Sequence, residues 1–195
     1  MERAGRPRCG DGEGGGQAQV LVSRTRFVWT FLAERADGMT LPKRQQSLRG
    51  MTTADLPQVL LTEAACYPEP WSEQTFADCL AGATKGYRCF VLLLDEVVVG
   101  HFVFTSVVDE AELLNFCVAP SHQGQGLAKD YFDQMLFEAN EMGAAKLFLE
   151  VRETNYAARG LYQSAGLSEI GVRKNYYPSA DGREDAIVMA LEMVA

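Results

Sequence analysis

The stretch Gln123-Gly124-Gln125-Gly126-Leu127-Ala128 separates an apolar run from an amphipathic one, and it narrows the possible folds more than any other feature. Ahead of it, residues 111–118 read as a buried strand closed by Pro120. Behind it, Leu127, Tyr131, Met135, Ala139 and Met142 recur at helical spacing, and Gly143 predicts the C-cap. A glycine-rich turn opening a helix leaves backbone N–H groups without partners at the positive end of the helix dipole. Such a turn suits a phosphate.

The rest of the pattern predicts a mixed α/β domain over residues 45–195. A first strand near 47–51 precedes a helix over 54–65, with Leu56, Val59, Leu60 and Glu63 in helical register. Pro68 and Pro70 interrupt it, and Ser72 predicts the N-cap of a second helix through Leu80. Strands over 87–94 and 97–107 form a hairpin about Asp95-Glu96. After the glycine turn and its helix come a strand over 146–151, parallel to 111–118, a helix over 156–164, and strands near 167–174 and 185–193. Residues 1–44 differ: Gly10–Gly16 is flexible and polar, and the arginines around it show no period. They are read as a disordered extension or an overlong start.

Several function classes fall away on composition. The net charge of −8 disfavours nucleic acid and anionic membrane as partners, and no apolar run is long enough to cross a bilayer. The five cysteines include no C-x-x-C pair and only His101 and His122 offer imidazole, so no metal is expected and the cysteines are read as buried reduced thiols. Lys129 occupies the third-glycine position of a dinucleotide fingerprint, and no Gly-Lys-Ser/Thr follows for a nucleotide P-loop.

The turn is similar to the signature Gln/Arg-x-x-Gly-x-Gly/Ala of the GCN5-related N-acetyltransferases, the GNAT superfamily. Pro70-Trp71-Ser72, Leu149-Glu150-Val151-Arg152, Asn155, Leu161-Tyr162, Asn175-Tyr176-Tyr177-Pro178 and Gly182-Arg183-Glu184-Asp185 resemble its RimI-type branch. Those enzymes acetylate the N-terminal alanine of a small-subunit ribosomal protein. The resemblance implies a central mixed sheet flanked by helices, acetyl-CoA as cosubstrate, a ribosomal protein N-terminal peptide as partner, and a cytoplasmic monomer or weak dimer. Gly124 and Lys129 depart from the pattern where relatives often carry arginine.

Roles for individual residues follow from the same resemblance. Glu150 is the expected base for the incoming amine; spacing alone favours a surface carboxylate paired with Arg152. Tyr162 is the expected acid for the leaving thiolate, or else a packing tyrosine. Gln123, Gly124, Gln125, Gly126, Leu127, Ala128 and Lys129 are assigned to the cofactor phosphates. A bulge in strand 111–118 is expected to free the backbone of Phe116, Cys117 and Val118 for the pantetheine arm, with Asn155 opposite, unless Asn155 is only an N-cap. Trp71, Tyr176 and Tyr177 wall a peptide groove or pack a hairpin. Cys117, with His122 as its base, is the alternative nucleophile of a ping-pong route. Rival readings are a GNAT enzyme for another amine and a non-catalytic acyl-CoA-binding module.

Overall fold

The computed structural model describes residues 21–23, 26–30, 44–179 and 182–193. Its elements are β1 (Leu21–Ser23), β2 (Arg26–Thr30), β3 (Gln45–Gly50), α1 (Leu56–Cys66), α2 (Glu73–Ala81), β4 (Tyr87–Leu94), β5 (Val97–Val107), β6 (Glu110–Val118), α3 (Leu127–Glu141), β7 (Lys146–Arg152), α4 (Tyr156–Ser164), β8 (Ser168–Ser179) and β9 (Gly182–Glu192). They make a single sheet in the order β1-β2-β3-β4-β5-β6-β7-β9-β8, in which only β6 and β7 run parallel. Most of the segment expected to be disordered lies outside the described residues. Two pieces of it, β1 and β2, are strands that extend the β3 edge.

Local chemistry accounts for the elements. Asp95 and Glu96 both take positive φ (49° and 68°), the two-residue turn whose twist suits a hairpin. Ser72 caps α2 by accepting from Thr75 N at 3.1 Å. Gly143 at φ +88° ends α3, as its position predicts. The last hairpin is longer than the sequence suggests. Its strands run on to Ser179 and from Gly182, because Asp185 binds both the Asn175 N–H (2.8 Å) and the Lys174 ammonium, while Arg183 holds the Tyr176 carbonyl at 2.6 Å.

The sheet is packed on both faces. Phe102, Phe104, Leu147, Leu149 and Met189 meet Tyr131, Phe132 and Met135 of α3 and Tyr162 of α4. The alternate residues Val91 and Val103 turn to the opposite face and meet Leu56 and Val59 of α1 and Phe76 of α2. Gly100 lies where β5 runs close against β6, since a Cβ there would stand 2.3 Å from the Cys117 carbonyl oxygen.

Two cysteines depart from expectation. Cys66, at the end of α1, and Cys117, on β6, form a disulfide with Cα atoms 6.6 Å apart, whereas Cys79 and Cys89 are free. The packing of α1 across β6 brings the pair together over a sequence separation of 51, which no local spacing could reveal. Denatured, unreduced protein should therefore alkylate at Cys79 and Cys89 but not at Cys66 or Cys117 until reductant is added. Reduction should also lower folding stability by roughly 2–4 kcal/mol; peptide mapping and denaturant melts check both.

Candidate functional site

The parallel pairing of β6 with β7 ends at Leu113 and Leu149, although both strands continue. The cause lies on the other side of β6. Val103 pairs with Asn115 and Phe104 with Leu113, so Leu114 is left over as a bulge. A bulge bends its strand and sharpens the local twist, and beyond it β6 leans away from β7, which stays paired with β9 as far as Arg152. The bulge falls at Leu114, within the strand expected to carry one and ahead of the residues it was expected to free. Phe116 and Val118 turn their carbonyls into the slot, where they accept from Tyr67 Oη (2.7 Å) and Gln123 Nε2 (2.8 Å). Cys117 instead lies in register with His101 and sends its carbonyl towards Gly100 of β5, so its backbone is not free for a ligand.

A cavity of about 920 Å³ fills the slot and spreads to both sides of it. At one end stands the glycine turn. Gly124 and Gly126 have φ of +70° and +82°, and neither has an atom within 4 Å of a Cβ position, so the requirement is backbone conformation and not space. No side chain caps the start of α3; the Lys129 N–H bonds the Gly126 carbonyl at 3.0 Å, which leaves the N–H groups of Leu127 and Ala128 ahead of it for an anion. Gln123, Gly124, Gly126, Ala128 and Lys129 line this end. The side chains of Gln125 and Leu127 do not: that of Gln125 faces Ser121 and Arg44, and that of Leu127 is buried in the core. Lys129 is ion-paired with Asp133 at 2.7 Å. These groups fit the phosphates of a nucleotide-bearing cofactor, with the slot for its arm.

The other end carries Glu150, Tyr162, Tyr177 and Trp71. Glu150 is bonded through Oε1 to Arg173 Nε at 2.8 Å, and its side chain is 14% exposed. Arg152, its expected ion partner, is bound to Glu184 and the Pro178 carbonyl. Tyr176 lies outside the cavity; the neighbouring Glu150 raises its phenol pKa, and it packs edge-on against Tyr177 at 5.0 Å. Tyr162 is buried against Phe132, and burial raises its phenol pKa, so the hydroxyl stays a proton donor through the neutral range. Asn155 lines the cavity while its Oδ1 caps α4 by accepting from Ala158 N at 3.1 Å. The arrangement can hold an amine near a carboxylate, polarise a carbonyl on open backbone N–H groups, and offer a proton to a leaving group.

The sequence reading missed the polar floor of this end. Glu63, 1% exposed, accepts from His101 Nε2, Asn115 Nδ2 and Trp71 N, each at 3.0 Å. A carboxylate in register with Leu56, Val59 and Leu60 of α1 was its signal. The imidazole beside Cys117 is that of His101, which with Glu63 and Cys117 places three ligand atoms within 4.8 Å. The disulfide takes the Cys117 sulfur out of metal binding and out of nucleophilic attack, and the ping-pong reading falls with it.

Residues 56–167 match the model of the acetyltransferase (GNAT) family. The [ribosomal protein bS18]-alanine N-acetyltransferase of Escherichia coli K12 is 40% identical over 145 residues, 74% of this chain and 96% of that protein. The crystal structure of the E. coli ribosomal-protein-S18-alanine N-acetyltransferase superposes with a TM-score of 0.71 at 39% identity, covering 77% of this chain and 96% of that one. YncA of Salmonella typhimurium, a candidate acetyltransferase solved with its cofactor acetyl-CoA, shares the fold at a TM-score of 0.62 and 21% identity, covering 76% and 94%.

Two outcomes follow from the geometry. Glu63→Gln turns an amide N–H₂ towards donors that need an acceptor and should cost about 2–3 kcal/mol in a denaturant melt. Burial raises the phenol pKa values of Tyr67, Tyr162 and Tyr177, the last to about 12. These groups hold their protons more tightly folded than unfolded, so the stability they confer is complete below the unfolded pKa near 10 and is lost as pH rises from there. Melts between about pH 9 and 12 should show that decline, and Tyr162→Phe should make it shallower.

Proposed function

Because this chain belongs to the GNAT family of acetyltransferases, we propose that it moves acetyl from acetyl-CoA to the N-terminal alanine of ribosomal protein bS18, acting in the cytoplasm. The supporting observation is the convergence, in one cavity, of an uncapped glycine turn, an open strand edge, and the side chains of Glu150 and Tyr162. The acceptor is supported by 40% identity along nearly the whole length of an E. coli enzyme named for that reaction. Residues 45–195 form the acetyltransferase domain.

Acetyl-CoA supplies an activated thioester; the chain supplies position and proton management. An α-amino group with a pKa of about 7.7–8.0 is mostly protonated at neutral pH and cannot attack. Glu150 takes that proton, directly or through one water. In an extended strand the N–H of a residue points with its C=O, so Phe116 and Val118 present donors as well as acceptors along the slot. These donors carry the charge that develops on the acyl oxygen. Tyr162 returns a proton to the departing sulfur as it leaves, which avoids a full uphill transfer from a phenol with a raised pKa. Trp71 and Tyr177 flank the acceptor, and transfer occurs directly, with both substrates bound and no metal.

Glu150→Gln and Tyr162→Phe should each lower kcat by ~10²-fold or more and leave acetyl-CoA affinity, measured by calorimetry, within about threefold. A large loss of affinity would instead make both residues structural. Steady-state rates on alanine-led peptides, compared with lysine-bearing peptides and polyamines, test the acceptor: preference for the latter would overturn it. The non-catalytic reading is excluded if thiol is released when amine is added.

A further inference from the structure

Among the described residues, the glycine turn is short of free positive charge for a ligand as anionic as coenzyme A. Gly124 has no side chain, Lys129 is paired with Asp133 at 2.7 Å, and the first turn of α3 adds Asp130. One cation stands beside the turn from elsewhere in the chain. Arg44, just before β3, donates from Nη1 to Gln125 Oε1 at 2.8 Å. Its placement follows from the strand's period: Gln46, two residues on and therefore on the same face, donates from Nε2 to Asp130 Oδ2 at 3.0 Å. Both side chains thus reach the start of α3. Gln125 is held in turn by its own bond to the Ser121 carbonyl at 3.2 Å. Arg44 is exposed, and among the described residues no carboxylate is paired with it.

The course of the ligand then matters. With the thioester between Glu150 and Tyr162 and the diphosphate on the open N–H groups, the adenosine end must continue past the turn, away from Tyr162. Gln125 lies on the side of the turn that does not line the cavity, and Arg44 sits on Gln125. Resting on the acetyl-CoA reading above, we propose that Arg44 is a binding residue for the nucleotide end of the cofactor, its guanidinium pairing with the ribose 3′-phosphate. A guanidinium carries five donors in a planar fork, and the bond to Gln125 uses one, so a bidentate phosphate contact remains open. Arg44 lies outside the family-matched residues 56–167 and compensates for the arginines absent at positions 124 and 129.

Calorimetry of the full chain with coenzyme A and with 3′-dephospho-coenzyme A tests this without any turnover. Wild-type protein should bind coenzyme A about tenfold more tightly than the dephospho form. Arg44→Ala should remove that preference by weakening coenzyme A alone, and Arg44→Lys should restore part of it. If Arg44→Ala weakens both ligands equally, Arg44 only tethers the turn; if it weakens neither, it does not touch the cofactor. Either result overturns the proposal and leaves the acetyl-CoA reading standing. Wild-type protein that binds neither ligand overturns that reading, and this proposal with it.

Discussion

The parting of β6 from β7 after Leu113 and Leu149 is the constraint on which the rest of the structure depends. A sheet of this size ordinarily satisfies its interior backbone groups strand to strand, because a buried unpaired N–H or C=O costs about as much as a lost hydrogen bond. Here two interior strands diverge within the protein, each still anchored on its outer side, β6 to β5 and β7 to β9. The bulge at Leu114 turns one strand while the core beneath Leu113, Leu147 and Leu149 holds the other in place. An opening made this way is rigid on both walls, which suits precise placement of a thin, extended ligand arm.

Side chains occupy the slot's polar edge in the free protein. Tyr67 donates to the Phe116 carbonyl, Gln123 to that of Val118 and Tyr177 to that of Glu150 (3.3 Å). These bonds serve two ends. They satisfy an edge that would otherwise invite another strand, and they make ligand entry an exchange of one set of hydrogen bonds for another of similar strength. Glu63 does the equivalent for the acceptor end by tying Trp71, Asn115 and His101 to a single carboxylate. The disulfide adds a covalent tie between the same helix and the same strand.

What the sequence disclosed and what it hid divide along physical lines. The glycine turn was legible because positive φ at positions 124 and 126 selects glycine, and the helix behind it because its buried face repeats every turn. The cavity residues Glu150, Tyr162, Trp71 and Tyr177 were legible only through the family resemblance. The bulge in this strand was expected from the resemblance alone, and its position was not legible, since Leu114 in an apolar run carries no mark of being unpaired. Gln125 and Leu127 were assigned with their neighbours because the motif is written as a continuous string; their side chains lie outside the cavity lining, as a turn and a helix start turn only some side chains to one side. The Cys66–Cys117 bond and the Glu63 cluster were hidden for a common reason. Both join α1 to distant strands, and a tertiary contact leaves no periodic trace in a single sequence.

The charge distribution gives the cavity a direction. One end offers open N–H groups; the other is walled by the carboxylates of Glu69 and Glu150. An anionic cofactor and a cationic amine are therefore drawn to opposite ends of one slot, so each enters without displacing the other. Glu150 is already matched to a cation, Arg173, whose side chain is 57% exposed. An ion pair with so open a partner is worth no more than about 1 kcal/mol. The arriving α-ammonium can take the place of the guanidinium at little cost, and unlike a guanidinium it has a proton to give up near neutral pH. On the function proposed above, the same carboxylate is held in place by Arg173 until the amine it would deprotonate arrives.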